Sequence, residues 1–188
     1  MKLLIITGNP KSTGLCKSIT EEIERGAKKG GAEVEVATAG TIARCHVCGD
    51  GWGTCRNENV CAFGEDGFRH VQGKIKEADL LCFITPVYWG EAAEGLKALI
   101  DRLRRCEFTA FGGEGLLKGK QTLLVAVPGG SGNGLLTCLQ QMERLCQHTG
   151  AVIFDYIGVN RWNQGYKKDA AFNAAMLMAQ GVKNGDTA

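Results

Sequence analysis

The feature that most constrains the fold of this chain is a set of apolar runs, several of which lead into a stretch with helical periodicity. The first run, at residues 2–7, leads to a stripe at Leu15, Ile19 and Ile23 that repeats every four residues. A continuous apolar run predicts a strand buried on both faces, and the stripe predicts one face of a helix. The N-terminal part of the chain is therefore predicted to be a strand followed by a helix.

The same pattern continues along the chain with one interruption. Further strands are predicted at residues 32–37, 80–85, 122–127 and 152–159. Helical stripes follow the last three strands, at residues 96–103, 135–145 and 172–179. This alternation implies a parallel sheet with helices on both faces. We predict one α/β domain over residues 1–188, with five parallel strands and a cysteine-rich insertion at about 40–66, after strand two.

The balance of residues excludes several classes of function. The formal net charge is +2, and no apolar run is long enough to span a bilayer. We therefore expect no nucleic-acid partner and no membrane partner. The N-terminal apolar run passes directly into a Gly/Pro/Ser loop, which predicts a buried strand and not a signal peptide. With nine cysteines, free thiols or metal ligands in a cytoplasmic setting are expected, and not a disulfide framework.

The loop after the first strand is the first candidate ligand site, because open parallel sheets bind ligands beyond the carboxyl ends of their strands. Residues 7–16 carry hydroxyl and amide side chains, one lysine and two glycines before a predicted helix start. Such a start attracts phosphate, and the few charges suit a terminal monophosphate such as that of FMN. The loop matches neither the Walker A nor the Gly-x-Gly-x-x-Gly pattern. The alternative is an ordinary helix start capped by Ser12 or Thr13.

Two further loops are predicted at the same edge of the sheet. The third strand is followed by Thr85-Pro86-Val87-Tyr88-Trp89-Gly90, whose aromatic side chains suit a flat heterocycle. The fourth strand is followed by the glycine-rich residues 128–134, whose backbone can approach a planar ligand closely. For each loop alone a purely structural role is the alternative. The three loops together favour a ligand site.

These motifs resemble the NADPH-dependent FMN reductase branch of the flavodoxin-like superfamily. Residues 8–14, 85–90 and 96–102 carry the resemblance, which extends in order over nearly the whole chain. It implies a flavodoxin-like, doubly wound five-stranded parallel sheet of strand order 2-1-3-4-5. It also implies FMN as the cofactor, NAD(P)H as co-substrate, and a homodimer or higher homo-oligomer.

By matched motif, the resemblance places three groups of residues around FMN. The phosphate would be surrounded by Asn9, Lys11, Ser12, Thr13, Gly14, Leu15 and Cys16. The isoalloxazine ring would be lined by Pro86, Val87, Tyr88, Trp89 and Gly90, with Gly129, Gly130 and Ser131 opposite. Cys16 departs from the family, which often has a small polar residue there. No catalytic acid or base is nominated, because the cofactor carries the chemistry.

Residues near the predicted site are interpreted from their position alone. Arg161, Trp162 and Tyr166 follow the fifth strand in a polar loop and are expected to border the site. Asp101 and Arg102 are interpreted as helix residues, paired across an interface.

The cysteine-rich insertion is a second candidate site. Its candidate metal ligands are Cys45, Cys48, Cys55 and Cys61. Four thiolates can hold zinc or an iron–sulfur cluster, and the region resembles that of iron–sulfur flavoproteins. Those proteins usually have Cys-x2-Cys-x2-Cys and then a fourth cysteine, whereas the second gap here is six residues. A [4Fe-4S] cluster, zinc, and a metal-free loop with free thiols or one facultative disulfide stay open as alternatives.

The remaining cysteines have a different expected role. Cys82, Cys106, Cys138 and Cys146 fall on apolar strand or helix faces and are predicted to be core residues.

The function implied by the resemblance is that of an oxidoreductase. Electrons would pass from NAD(P)H through flavin to a small acceptor such as a quinone, a flavin, a metal ion or a nitro compound. The alternative is an electron-transfer flavoprotein, with or without an iron–sulfur cluster, that serves a protein partner. Flavodoxins proper tend to be strongly acidic, so the slightly basic charge of this chain argues mildly against that class.

Overall fold

The computed structural model describes residues 1–107 and 115–182, and the sheet within them follows the predicted topology. In chain order the strands are β1 (Lys2–Thr7), β2 (Glu33–Thr38), β3 (Leu80–Tyr88), β4 (Glu91–Ala92), β5 (Gln121–Val127) and β6 (Val152–Gly158). The strand order is β2-β1-β3-β5-β6, and the short β4 pairs antiparallel with the end of β3. Counting the parallel strands alone, this is the predicted order 2-1-3-4-5. The doubly wound α/β fold is confirmed.

Helices cover both faces of the sheet. In chain order they are α1 (Leu15–Lys29), α2 (Thr54–Asn57), α3 (Phe68–Glu77), α4 (Glu94–Cys106), α5 (Leu135–Thr149) and α6 (Gln164–Ala179). Successive side chains of a strand point to opposite faces. Leu3 and Ile5 of β1 therefore pack beneath α1 and α6, whereas Leu4 and Ile6 pack beneath α3, α4 and α5. This double burial explains the continuous apolar run of β1.

The short helix α2, the short strand β4 and helix α3 were not predicted from the sequence, and strand β3 is longer than predicted. Helix α3 was missed, because Phe68, Val71 and Ile75 are its only large apolar residues and the fourth buried side chain is Gln72. Strand β3 extends beyond the predicted residue 85 to Tyr88, since Val87 and Tyr88 pair with β4. Part of the predicted aromatic loop is therefore strand.

Membrane insertion was not expected from the sequence. Within residues 1–107 and 115–182, none of the helices combines the length and the apolar character that crossing a bilayer requires.

Helices α1 and α6 approach each other at Gly26. A Cβ atom at Gly26 would lie 2.1 Å from the carbonyl oxygen of Phe172, which is backbone and cannot rotate away. Gly26→Ala is expected to lower the free energy of unfolding by about 1–3 kcal/mol, despite the better helix propensity of alanine. Gly73→Ala in α3 is the matched control, because nothing lies within 4 Å of its Cβ position. The control is expected to gain up to about 1 kcal/mol. Equal changes in chemical denaturation would contradict the close approach.

Candidate functional site

An open cleft of about 380 Å³ lies at the carboxyl ends of β1, β3 and β5. Most of the residues predicted to surround a cofactor line it, namely Asn9, Lys11, Thr13, Gly14, Leu15, Cys16, Pro86, Val87, Tyr88, Gly129 and Gly130. Ser12, Trp89, Gly90 and Ser131 belong to the same three loops but not to the lining. The structure thus brings the three loops together at one edge of the sheet, as their order in the fold requires.

The first loop is held by its own polar groups and leaves the start of α1 uncapped. Asn9 accepts a hydrogen bond from the Lys11 backbone at 3.2 Å and donates one to the Thr13 carbonyl at 3.4 Å. The residue before α1 is Gly14, with φ of 94°, and within the described residues no side chain caps the helix. The alternative of a helix start capped by Ser12 or Thr13 is therefore wrong. Gly14, Leu15 and Cys16 line the cleft, so the start of α1 borders it, and the first N–H groups of a helix are donors suited to an anion.

The second loop is a tight hairpin between β3 and β4. Tyr88 pairs with Glu91, so Trp89 and Gly90 form a two-residue turn, and both have positive φ as a type I′ turn requires. A tryptophan in this conformation is unusual, and the Trp89 side chain is fully exposed. Buried Thr85 anchors the base of the hairpin by accepting a hydrogen bond from the Ala93 backbone at 3.0 Å.

The glycines of the third loop have separate roles. A Cβ atom at Gly134 would lie 2.5 Å from the Cα of Gly90, so this glycine lets the hairpin approach the start of α5. Thr137 joins the same contact by donating to the Gly90 carbonyl at 2.8 Å. Gly129 differs, because nothing lies within 4 Å of its Cβ position. A Cβ atom at Gly130 would lie 3.1 Å from the Arg161 guanidinium carbon, so of these two glycines only Gly129 has open space beside its backbone.

The far wall of the cleft is built around Arg161. Its guanidinium lies 4.1 Å from the Trp162 ring, and Trp162 donates from Nε1 to the Gly130 carbonyl at 3.0 Å. Of the three residues expected to border the site, Arg161 lines the cleft, whereas Trp162 and Tyr166 are outside the lining. Lys11 and Arg161 make the lining of the cleft cationic. No aspartate or glutamate is among the described residues that line it. This charge favours an anionic ligand.

The four cysteines of the insertion line a second cavity, between the loop and α4. Cys45, Cys48, Cys55 and Cys61 face it together with Arg102 and Arg105 of α4. The cavity holds only about 20 Å³, roughly the room that one water needs. Among the described side chains, no three from Cys, His, Asp or Glu converge closely enough to hold a metal ion.

The donor set of this cavity is four cysteine sulfurs, which is a ligand set of zinc and of a [4Fe-4S] cluster. A single zinc ion requires its sulfur ligands at about 2.3 Å from one point, and the described side chains do not converge in that way. Four thiolates are also the ligand set of a [4Fe-4S] cluster, which spreads its ligands more widely. A cluster would need more room than the cavity now offers. Gly49 and Gly51, both with positive φ, lie between Cys48 and Cys55.

Arg102 corrects one of the sequence interpretations. It is 1% exposed and pairs within the chain with Asp66, at 2.6 Å, and not across an interface. Asp101 pairs with Lys97 one turn away on the same helix. The sequence offered no signal for the Arg102–Asp66 pair, because the two residues are 36 positions apart.

The remaining cysteines are core residues, as predicted for Cys82, Cys106, Cys138 and Cys146. Burial raises the pKa of the Cys106, Cys138 and Cys146 thiols to about 12. Cys16 borders the cleft, yet burial raises its pKa to about 12 as well, although a hydrogen bond with Thr7 opposes the shift. These thiols stay protonated at neutral pH and are therefore poor nucleophiles.

Alkylation rates are expected to distinguish the cysteines of the insertion from the buried cysteines. In metal-free, reduced protein at pH 8, iodoacetamide is expected to modify the half-exposed Cys45, Cys48 and Cys55 at least about tenfold faster than Cys16 or Cys138. The reason is that burial keeps Cys16 and Cys138 protonated and shielded. Peptide mass spectrometry over time measures the rates. Equal modification of both classes would contradict the burial.

Comparisons with known proteins agree on the family and the fold. Residues 1–164 match the family model described as NADPH-dependent FMN reductase. An iron–sulfur flavoprotein from Methanosarcina thermophila is 32% identical over 171 residues, covering 87% of this chain and 83% of the relative. An NAD(P)H:quinone oxidoreductase from Methanothermobacter marburgensis superposes with a TM-score of 0.67 at 15% identity, covering 96% and 95% of the two chains. A flavodoxin from Streptococcus pneumoniae gives 0.66 at 15%, covering 97% and 100%. The flavodoxin-like fold is confirmed.

Proposed function

The chain belongs to the NADPH-dependent FMN reductase family, and we propose that it is an FMN-dependent oxidoreductase that passes electrons from NAD(P)H to a small acceptor. The acceptor would be a quinone, a flavin, a metal ion or a nitro compound. The observation that carries this proposal is the cationic cleft at the carboxyl ends of β1, β3 and β5. When bound, FMN supplies the hydride and electron transfer that no side chain of the cleft can supply.

The residues of the first loop are proposed to bind the FMN phosphate. The uncapped start of α1 offers backbone N–H donors, and the helix dipole adds partial positive charge. Lys11 adds a full charge, and Asn9 holds the loop in shape through its hydrogen bonds to Lys11 and Thr13. Ser12 is exposed outside the lining, and we propose that it helps to shape this loop.

The other two loops are proposed to bind the ring. Pro86, Val87 and Tyr88 would form one wall, and Gly129 and Gly130 the other, with open space at Gly129. Arg161 would place positive charge beside the ring, where it favours electron-rich states. Gly90 and Ser131 lie outside the lining, and we propose that they shape the hairpin and the glycine-rich loop.

Trp89 is proposed to contact a second copy of the chain. A residue held at positive φ costs about 1–3 kcal/mol of strain, which is tolerated where the position serves a contact. Because the Trp89 side chain is fully exposed at the hairpin tip beside the cleft, a homodimer or higher homo-oligomer with Trp89 in the interface is expected. Trp89→Ala is then expected to lower the sedimentation coefficient toward that of a monomer. An unchanged coefficient, or a monomeric wild type, would contradict the proposal. We also propose a cytoplasmic setting, for which the nine cysteines without a predicted disulfide framework are the reason.

Steady-state kinetics test the reductase proposal. NADPH oxidation is measured with a quinone at several fixed concentrations. Parallel double-reciprocal lines are expected, since both substrates would use the same cleft in turn. Rates no higher than those of free FMN with either nicotinamide would contradict the proposal.

We propose an iron–sulfur electron-transfer flavoprotein as the second candidate function. It is favoured by the cavity that all four insertion cysteines line, and by the iron–sulfur flavoprotein from Methanosarcina thermophila among the relatives. Cys45, Cys48, Cys55 and Cys61 would hold a [4Fe-4S] cluster, and a protein partner would exchange electrons with it. Protein purified without air is expected to contain about four irons per chain. Absence of iron, also after anaerobic reconstitution, would contradict this candidate.

A further inference from the structure

Arg102 is the largest fully buried side chain among the described residues. It extends from α4 to the cysteine cavity and is only 1% exposed. A buried guanidinium is costly unless it is paired and hydrogen-bonded, so a chain that keeps one must supply acceptors around it. Its Nε still has no hydrogen-bond partner among the described residues.

The guanidinium of Arg102 joins separate points of the cysteine-rich insertion. Nη1 donates to the Ala43 carbonyl at 3.1 Å and to the Asp66 carboxylate at 2.6 Å. Nη2 donates to the Phe63 carbonyl at 2.6 Å and to the sulfur of Cys61 at 3.3 Å. The guanidinium carbon also lies 4.3 Å from the Phe68 ring centroid. The buried guanidinium of Arg102 therefore holds Cys61 in place.

The segment between Cys48 and Cys55, which also lines the cavity, is built differently. Between Cys48 and Cys55 the chain contains Gly49 and Gly51 at positive φ. Because the cavity is smaller than a cluster, binding would have to widen it. Arg102 holds its side of the cavity through four hydrogen bonds, whereas the glycine segment is joined to α4 through Arg105.

We propose that Arg102 is the positioning residue of the cluster site, which fixes Cys61 before the cluster binds and raises the reduction potential of the bound cluster. This inference rests on the second candidate function. Hydrogen bonds to ligand sulfur and nearby positive charge both stabilise the more negative, reduced state of a cluster. The N–H donated to Cys61 supplies the first effect, and the charge of Arg102 contributes to the second.

Arg105 provides a matched control on the same helix. It lies one turn after Arg102 and lines the same cavity. Its guanidinium donates to the Gly51 carbonyl and lies 5.0 Å from the Trp52 ring centroid. Among the described residues these contacts are with the glycine segment and not with a cysteine. Arg105→Gln removes the same charge as Arg102→Gln but no hydrogen bond to sulfur.

The test is anaerobic iron analysis and spectroelectrochemical titration of wild type, Arg102→Lys, Arg102→Gln and Arg105→Gln. Wild-type iron content is expected in Arg102→Lys and Arg105→Gln. The cluster potential is expected to fall in Arg102→Lys, which keeps the charge but not the two-pronged donor, and to fall further in Arg102→Gln. Arg105→Gln is expected to shift it less than Arg102→Gln does. If Arg102→Gln does not assemble a cluster, the cluster potential of Arg102→Lys compared with that of wild type decides the test.

The outcomes separate the inference from the function on which it rests. A wild type without iron would overturn the cluster and this inference together. An iron-bearing wild type whose potential is unchanged in Arg102→Lys, or shifted equally by Arg102→Gln and Arg105→Gln, would overturn this inference alone.

Discussion

Gly129→Leu is expected to weaken FMN binding at least about 100-fold, a loss of roughly 2.8 kcal/mol. Nothing lies within 4 Å of the Cβ position at Gly129, and its φ is not positive, so a side chain meets no protein atom there. Gly129 nevertheless lines the cleft, and a leucine would occupy space that we assign to the ring. The unfolding temperature of the cofactor-free protein is expected to change by no more than about 2 °C, as for other substitutions without buried contacts.

Fluorescence titration of cofactor-free protein with FMN measures this effect. Gly165→Leu in α6 is the control, because its Cβ position is equally open and Gly165 is outside the cleft lining. The control is expected to bind FMN as wild type does. Equal dissociation constants for wild type and Gly129→Leu would show that the ring binds elsewhere.

Asp66→Ala is expected to lower the free energy of unfolding by about 3 kcal/mol. The substitution leaves the guanidinium of Arg102 buried without its carboxylate, and removes the acceptor of the Ala43 N–H at 2.7 Å. Glu65→Ala is the matched control one residue earlier. Glu65 pairs with Arg69 at the surface, and such an ion pair contributes less than about 1 kcal/mol to the free energy of unfolding. Urea denaturation measures both. Equal losses for the two variants would contradict the importance of the buried pair.

The same pair predicts a pH dependence with a definite sign. Burial alone would raise the pKa of Asp66, but hydrogen bonds from Arg102 and the Ala43 backbone hold that pKa below its ordinary value. A carboxyl with a depressed folded-state pKa contributes its stability above the unfolded pKa, at about 4, and loses it as the pH falls through the folded pKa. The stability difference between wild type and Asp66→Ala is therefore expected to be constant from about pH 5 to 7 and to shrink below about pH 4. A difference that stays unchanged to pH 3 would contradict this assignment.

Periodicity in the sequence predicts the central part of the fold because burial there is nearly uniform. Leu3 to Ile6 are fully buried, so β1 had no polar alternation to obscure it. Helix α3 was not predicted because Gln72 interrupts its apolar stripe. Gln72 is buried through hydrogen bonds to Asn59 of the insertion and to Glu107, and no local pattern encodes these contacts. Local patterns therefore predict elements with uniform burial and miss those whose buried face includes polar residues.

The candidate sites show the same division between local and long-range information. The three loops of the cleft could be predicted, because their glycines, hydroxyls and aromatics are contiguous and the topology gathers them at one edge. The four insertion cysteines could also be found. Arg102 could not, because its role depends on Asp66 and Cys61, which lie 36 and 41 positions away.

The central claim is that the cleft binds a flavin that NAD(P)H reduces. Its most direct test is the absorption spectrum of protein purified without air, recorded before and after NADPH or NADH is added, with metal analysis of the same sample. We expect flavin bands that bleach when the nicotinamide nucleotide is added. A colourless protein that takes up no added FMN, or a flavin spectrum that neither nucleotide changes, would contradict the claim.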